Sequence, residues 1–128
     1  LAIIREMVRQ LSLSLEIVGC PIVREKDGLA MSSRNTLLSM EERERALTIS
    51  RALFRSQDYA RENSLANTRQ FVENMIAGTS GLELEYFQIV DGNTLQELKE
   101  WDDSDYVVGC IALFCGKIRL IDNLKYKG

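Results

Sequence analysis

The side chains best suited to chemistry lie together in one stretch, Val23-Arg24-Glu25-Lys26-Asp27-Gly28-Leu29-Ala30-Met31-Ser32-Ser33-Arg34-Asn35. Ser32 and Ser33 supply short hydroxyl donors, and Arg34 supplies a permanently charged planar fork that matches phosphate or carboxylate oxygens. Gly28 lets the backbone turn so that N–H groups can approach a ligand. Hydroxyls and arginine together can hold a polyphosphate and offset the charge that develops in phosphoryl transfer. On residue types alone, Ser-Ser-Arg-Asn also describes a solvated turn or cap, and Arg24-Glu25-Lys26-Asp27 a solvated charged face.

Other chemistries are excluded by composition. The chain has no histidine, which removes the commonest general base, the Ser-His and Cys-His nucleophile pairs and imidazole zinc sites. Cys20, Cys110 and Cys115 form no CxxC, so they read as buried small apolar residues in a reducing cytoplasm, and no metal site is expected. Lys plus Arg total 16 against Asp plus Glu 19, a net charge of -3. Nothing there would displace counterions from a nucleic acid. No apolar run nears the roughly 20 residues of a membrane span.

Around the reactive stretch, 128 residues with 45% hydrophobic and 27% charged content fit one globular domain, or a small domain plus part of another. Leu1, Ile4, Met7, Val8 and Leu11 recur at helical spacing with no capping residue before them, as expected of a segment cut from a longer protein. Leu15 to Val18 reads as a short strand, so the opening is the helix-strand end of a larger α/β unit. From Gly19 to Asn35 periodicity stops, and a connection of that length is usually functional or disordered.

Beyond it, Ser39 and Glu42 form a capping box ahead of a helix whose inner face is Ala46, Ile49, Ser50, Leu53 and Phe54. Ser64 caps a second helix with the face Leu65, Thr68, Phe71, Val72, Met75 and Ile76, which stops at Gly78. The period then becomes that of strands: Leu82 to Val90 with Leu82, Leu84 and Tyr86 on one face, Tyr106 to Cys115, and Lys117 to Asp122. Two helices followed by about three antiparallel strands make an α+β domain. Arg119 and Asp122 read as a structural ion pair on the last strand, and Trp101 as a packing anchor.

Pro21 through Asn35 closely resembles the second signature of the pantothenate synthetase (pantoate–β-alanine ligase) family. Tyr86-Phe87-Gln88-Ile89-Val90-Asp91 with Thr94-Leu95, Gly116 through Asn123, and Ile3 through Arg9 resemble further stretches of it in order. The resemblance implies an ATP- and Mg²⁺-dependent ligase that makes pantoyl adenylate and pyrophosphate from pantoate, then pantothenate and AMP on attack by β-alanine. It implies residues 1–35 as the end of a Rossmann-like nucleotidyltransferase domain and 36–128 as an α+β lid.

By the same resemblance Ser32, Ser33 and Arg34 are the catalytic candidates and contact ATP phosphates. Met31 lines that site, and Val23 meets the adenine edge through its backbone. Asp27 and Gly28 shape the loop. The family's Met-His-x-Gly-His motif, its pantoate-binding glutamines and its Lys-Asp-x-Gln-Gln stretch are absent. The chain alone is therefore expected to be inactive, its parent a cytoplasmic homodimer, and the isolated chain to self-associate through residues 1–20. The alternative is a free-standing, non-enzymatic interaction or regulatory module derived from the lid.

Overall fold

Ser39 starts the longest helix through a reciprocal box. Its hydroxyl accepts the Glu42 N–H at 3.1 Å, and the Glu42 carboxylate accepts the Ser39 N–H at 2.8 Å. Such a cap contributes about 1 kcal/mol. In the computed structural model, which describes residues 1–128, the chain forms α1 (Ala2–Gln10), α2 (Met40–Tyr59), α3 (Leu65–Ala77), β1 (Leu82–Asp91), β2 (Val107–Cys115) and β3 (Ile118–Lys127). Short 3-10 turns at Ser33–Leu37 and Trp101–Asp103 precede α2 and β2. Ser64 caps α3 by accepting the Asn67 N–H, and Gly78 follows its last residue.

The strands form one antiparallel sheet in the order β1-β2-β3. Ala46, Ile49, Ala52 and Leu53 of α2 and Leu65, Val72 and Ile76 of α3 join Phe87, Ile89, Ile111, Leu113, Leu120 and Leu124 of the sheet in a single core. Leu53 is completely buried; burying one such leucine contributes about 1.5–3 kcal/mol. Trp101 anchors the layers as expected: its Nε1–H donates to the Asn63 carbonyl at 2.9 Å and its ring lies against Tyr126. The α+β architecture of helices packed on three antiparallel strands is therefore present.

Several local expectations need correction. Glu85 is an extra residue in the β1–β2 ladder, between the pairs Leu84–Leu113 and Tyr86–Ala112. A bulge reverses the alternation beyond it, so Phe87 and Ile89 enter the core while Tyr86 is exposed. Leu15 to Val18 forms no strand, because no neighbouring strand offers it a ladder. Leu1, Ile3, Ile4, Met7, Leu11, Leu13, Leu15 and Val18 are all exposed. Phe54 is also exposed rather than core; the Arg24 guanidinium lies 4.9 Å from its ring centre. Of the thiols, Cys115 is buried and Cys110 half-buried, whereas Cys20 is exposed in the coil after α1. No helix is long and apolar enough to cross a membrane.

Candidate functional site

The segment without periodicity is a small hairpin. Met31 N–H donates to the Val23 carbonyl at 2.9 Å, Glu25 N–H to the Leu29 carbonyl at 2.8 Å, and Arg24 bridges Ala30. Gly28 makes the reversal with φ +96, a conformation that other residues adopt only under strain. Asp27-Gly28 between two extended arms is the signal that could have revealed the hairpin. Leu29 plugs the hairpin into the core, at 3% exposure.

Arg24, Glu25 and Asp27 are tied down, which corrects the reading of Arg24 to Asp27 as a solvated charged face at three of its four residues. Arg43 of α2 donates to Glu25 Oε2 at 2.9 Å and to Asp27 Oδ2 at 2.7 Å. Asn35, which is buried, donates its amide to Glu25 Oε1 at 2.8 Å and to the Ala30 carbonyl at 3.0 Å. These donors lower the pKa of Glu25, the Asn35 amide most and Arg43 next. Burial pushes Asp27 up, but the Arg43 and Leu29 N–H bonds outweigh it and hold the carboxyl low. Lys26 has no partner among the side-chain ion pairs.

The hairpin and the turn after it face β3. Arg24 Nη1 and Nη2 donate to Asp122 Oδ2 and Oδ1 at 2.7 and 3.0 Å. Arg34 Nη1 donates to the Arg119 carbonyl at 3.1 Å. Arg119 and Asp122 therefore do not pair with each other: Asp122 takes Arg24, and Arg119 Nε donates to Glu85 Oε2 at 2.6 Å. Residues three apart on a strand project to opposite faces. Between the turn and β3 lies a cavity of about 330 Å³, the scale of a small-molecule site.

Met31, Ser32 and Arg34 line this cavity with Arg119, Leu120, Ile121 and Asp122. All three loop residues are exposed, and Arg34 spends one bond on a main-chain oxygen. The Ser32 hydroxyl accepts the Arg34 N–H at 3.2 Å, so it also caps the 3-10 turn. Ser33 and Val23 are exposed but do not line the cavity. The Val23 carbonyl already accepts from Met31 N–H, which leaves it one lone pair for a ligand. Sequence reasoning missed the roles of Asn35 and Arg43, which bind the hairpin from outside it, and the position of Arg119, whose partner Glu85 lies 34 positions away. No three His, Cys, Asp or Glu side chains converge as a metal site.

A geometry of this kind, an Arg- and Ser-bearing turn set against the last strand of an α+β layer, has clear counterparts. Pantothenate synthetase from Bacteroides fragilis is 64% identical over 127 residues, which make up 99% of this chain and 45% of that protein. The crystal structure of pantothenate synthetase from Thermus thermophilus superimposes with a TM-score of 0.91 at 37% identity, covering 99% of this chain and 46% of that one. A pantoate-beta-alanine ligase from Francisella tularensis, solved in complex with beta-gamma ATP and beta-alanine, matches with a TM-score of 0.59 at 27% identity, over 96% of this chain and 38% of that one. The chain thus spans about half the length, or less, of these relatives. With the model of the pantoate-beta-alanine ligase family matching residues 1–125, this chain belongs to that family.

Proposed function

We propose that this chain is the phosphate-binding loop and lid of an ATP-dependent pantoate–β-alanine ligase. The observation that carries the reading is the convergence of Met31, Ser32 and Arg34 with β3 residues on one cavity. In the reaction, a pantoate carboxylate oxygen attacks the α-phosphorus of ATP and the bond to the β-phosphate breaks, releasing pyrophosphate. The β-alanine amine then attacks the acyl carbon of the pantoyl adenylate and AMP leaves. Ser32, Ser33 and Arg34 hold the phosphates and offset charge on the departing pyrophosphate. Met31 lines the same site, and Val23 meets the adenine edge through its main chain.

Residues 1–35 belong in this reading to the nucleotide-binding domain and residues 36–128 to the lid. The resemblance also implies Mg²⁺, but this chain offers no convergent acidic ligands for it, since Asp122 is bonded to Arg24. Without the histidine motif the chain alone is inactive in this account, and its exposed apolar residues in the first twenty positions drive self-association.

The test supplies ATP, pantoate and β-alanine to this chain alone, and to this chain joined to the remaining portion of the Bacteroides fragilis relative. AMP release by the joined enzyme only, dependent on both other substrates, supports the proposal. Silence in both favours a non-enzymatic module. Turnover by the chain alone contradicts the assignment of an incomplete site. Light scattering of the chain checks self-association, and a monomer with protected amides in residues 1–20 contradicts it.

A further inference from the structure

Arg119 lies outside the loop of Met31 to Arg34, yet β3 delivers it to the rim of the cavity that Met31, Ser32 and Arg34 line. Its carbonyl is the docking point of Arg34, so the two residues are in direct contact across 85 positions of sequence. The cavity is lined by Ser32 from the loop and by Leu120 and Ile121 from β3. The Arg119 guanidinium is held by Glu85 alone among the carboxylates, in a pair whose side chains are 38% and 40% exposed. Exposed pairs of this kind contribute little to stability, so a site that needed only a fold-stabilising contact gains little from a charge here. Asp122, the one carboxylate that lines the cavity, is neutralised by Arg24.

Resting on the ligase reading above, we propose that Arg119 is a second phosphate ligand, which grips the leaving pyrophosphate from the lid side while Arg34 grips it from the loop side. Two planar forks, one from the loop and one from β3, can each bind two oxygens, and pyrophosphate offers enough oxygens for both. Glu85 positions Arg119 when no anion is present. The same placement explains why the lid strand must meet the loop: the charge that develops on the leaving group is neutralised only once both walls are together.

The joined enzyme tests this through Arg119→Ala, Arg119→Lys and Glu85→Gln, reading the KM for ATP and the inhibition constant of inorganic pyrophosphate, with thermal unfolding as a control. Arg119→Ala is expected to raise both constants about tenfold or more, and Arg119→Lys to recover part of the loss. Glu85→Gln, which removes the negative charge that holds Arg119, is expected to lower the pyrophosphate constant. Equal losses from Arg119→Ala and Glu85→Gln would show a purely structural pair and overturn the proposal. So would a lowered melting temperature with both constants unchanged. Absence of AMP release from the unsubstituted joined enzyme would instead overturn the ligase reading itself, and the proposal with it.

Discussion

Arg24 and Asp122, 98 residues apart, are joined by two parallel hydrogen bonds of 2.7 and 3.0 Å, with the Asp122 side chain only 2% exposed. This pair fastens the hairpin that carries the candidate site to the last strand of the sheet. It fixes where the turn at Ser32 to Arg34 stands relative to Arg119.

Breaking that pair from one side leaves a buried carboxylate without its cation. Arg24→Met is expected to cost about 3 kcal/mol, read as a lower urea midpoint with an unchanged slope. A loss within about 0.5 kcal/mol would show that the pair is incidental.

Asn35 is a donor to two acceptors, the Glu25 carboxylate and the Ala30 carbonyl. Asn35→Ala is expected to cost about 1–3 kcal/mol, with faster amide exchange confined to the hairpin. Asn35→Asp should be worse than alanine at neutral pH, since it sets a second carboxylate against Glu25. The ranking of the two unfolding midpoints checks the role of the amide.

Gly28 lies at φ +96, and a Cβ there would meet Ser50 Oγ only at 3.4 Å, an ordinary contact. The penalty of Gly28→Ala is therefore in the backbone, about 1–3 kcal/mol. Urea unfolding measures it; a neutral effect would mean that the turn can be made with negative φ.

The contrast between legible and hidden features follows sequence distance. The Ser39–Glu42 box, the Ser64 cap and most of the inner faces of α2 and α3 are local patterns, and they are legible in the sequence. The bulge at Glu85 was not, because nothing in β1 alone says where its partner strand slips by one residue. Phe54 reads as core by spacing, but its place beneath Arg24 depends on a hairpin 30 residues earlier. The partners of Arg119 and Asp122 were hidden for the same reason. Chain topology, not residue type, brings Glu85 and Arg24 to β3.

Asp91 closes β1 by accepting the N–H groups of Asn93 and Thr94 and the Ser104 hydroxyl. The Ser104 bond most, then the two N–H groups, hold its carboxyl at about 2 against an ordinary 3.8. A depressed pKa contributes stability that is present above the unfolded value and lost as pH falls through the folded one. The difference in urea midpoint between the parent and Asp91→Ala should therefore be constant above about pH 5 and shrink on acidification below about pH 4. A difference that does not vary with pH would rule out the carboxylate as its source.

The most direct test of the central claim is the KM for ATP in AMP release by the joined enzyme carrying Arg34→Ala. Loss of a charged phosphate ligand should raise it about tenfold or more, while the KM for pantoate stays within about twofold and the variant remains folded. An unchanged KM for ATP and unchanged turnover would contradict the assignment of this loop to the ATP phosphates.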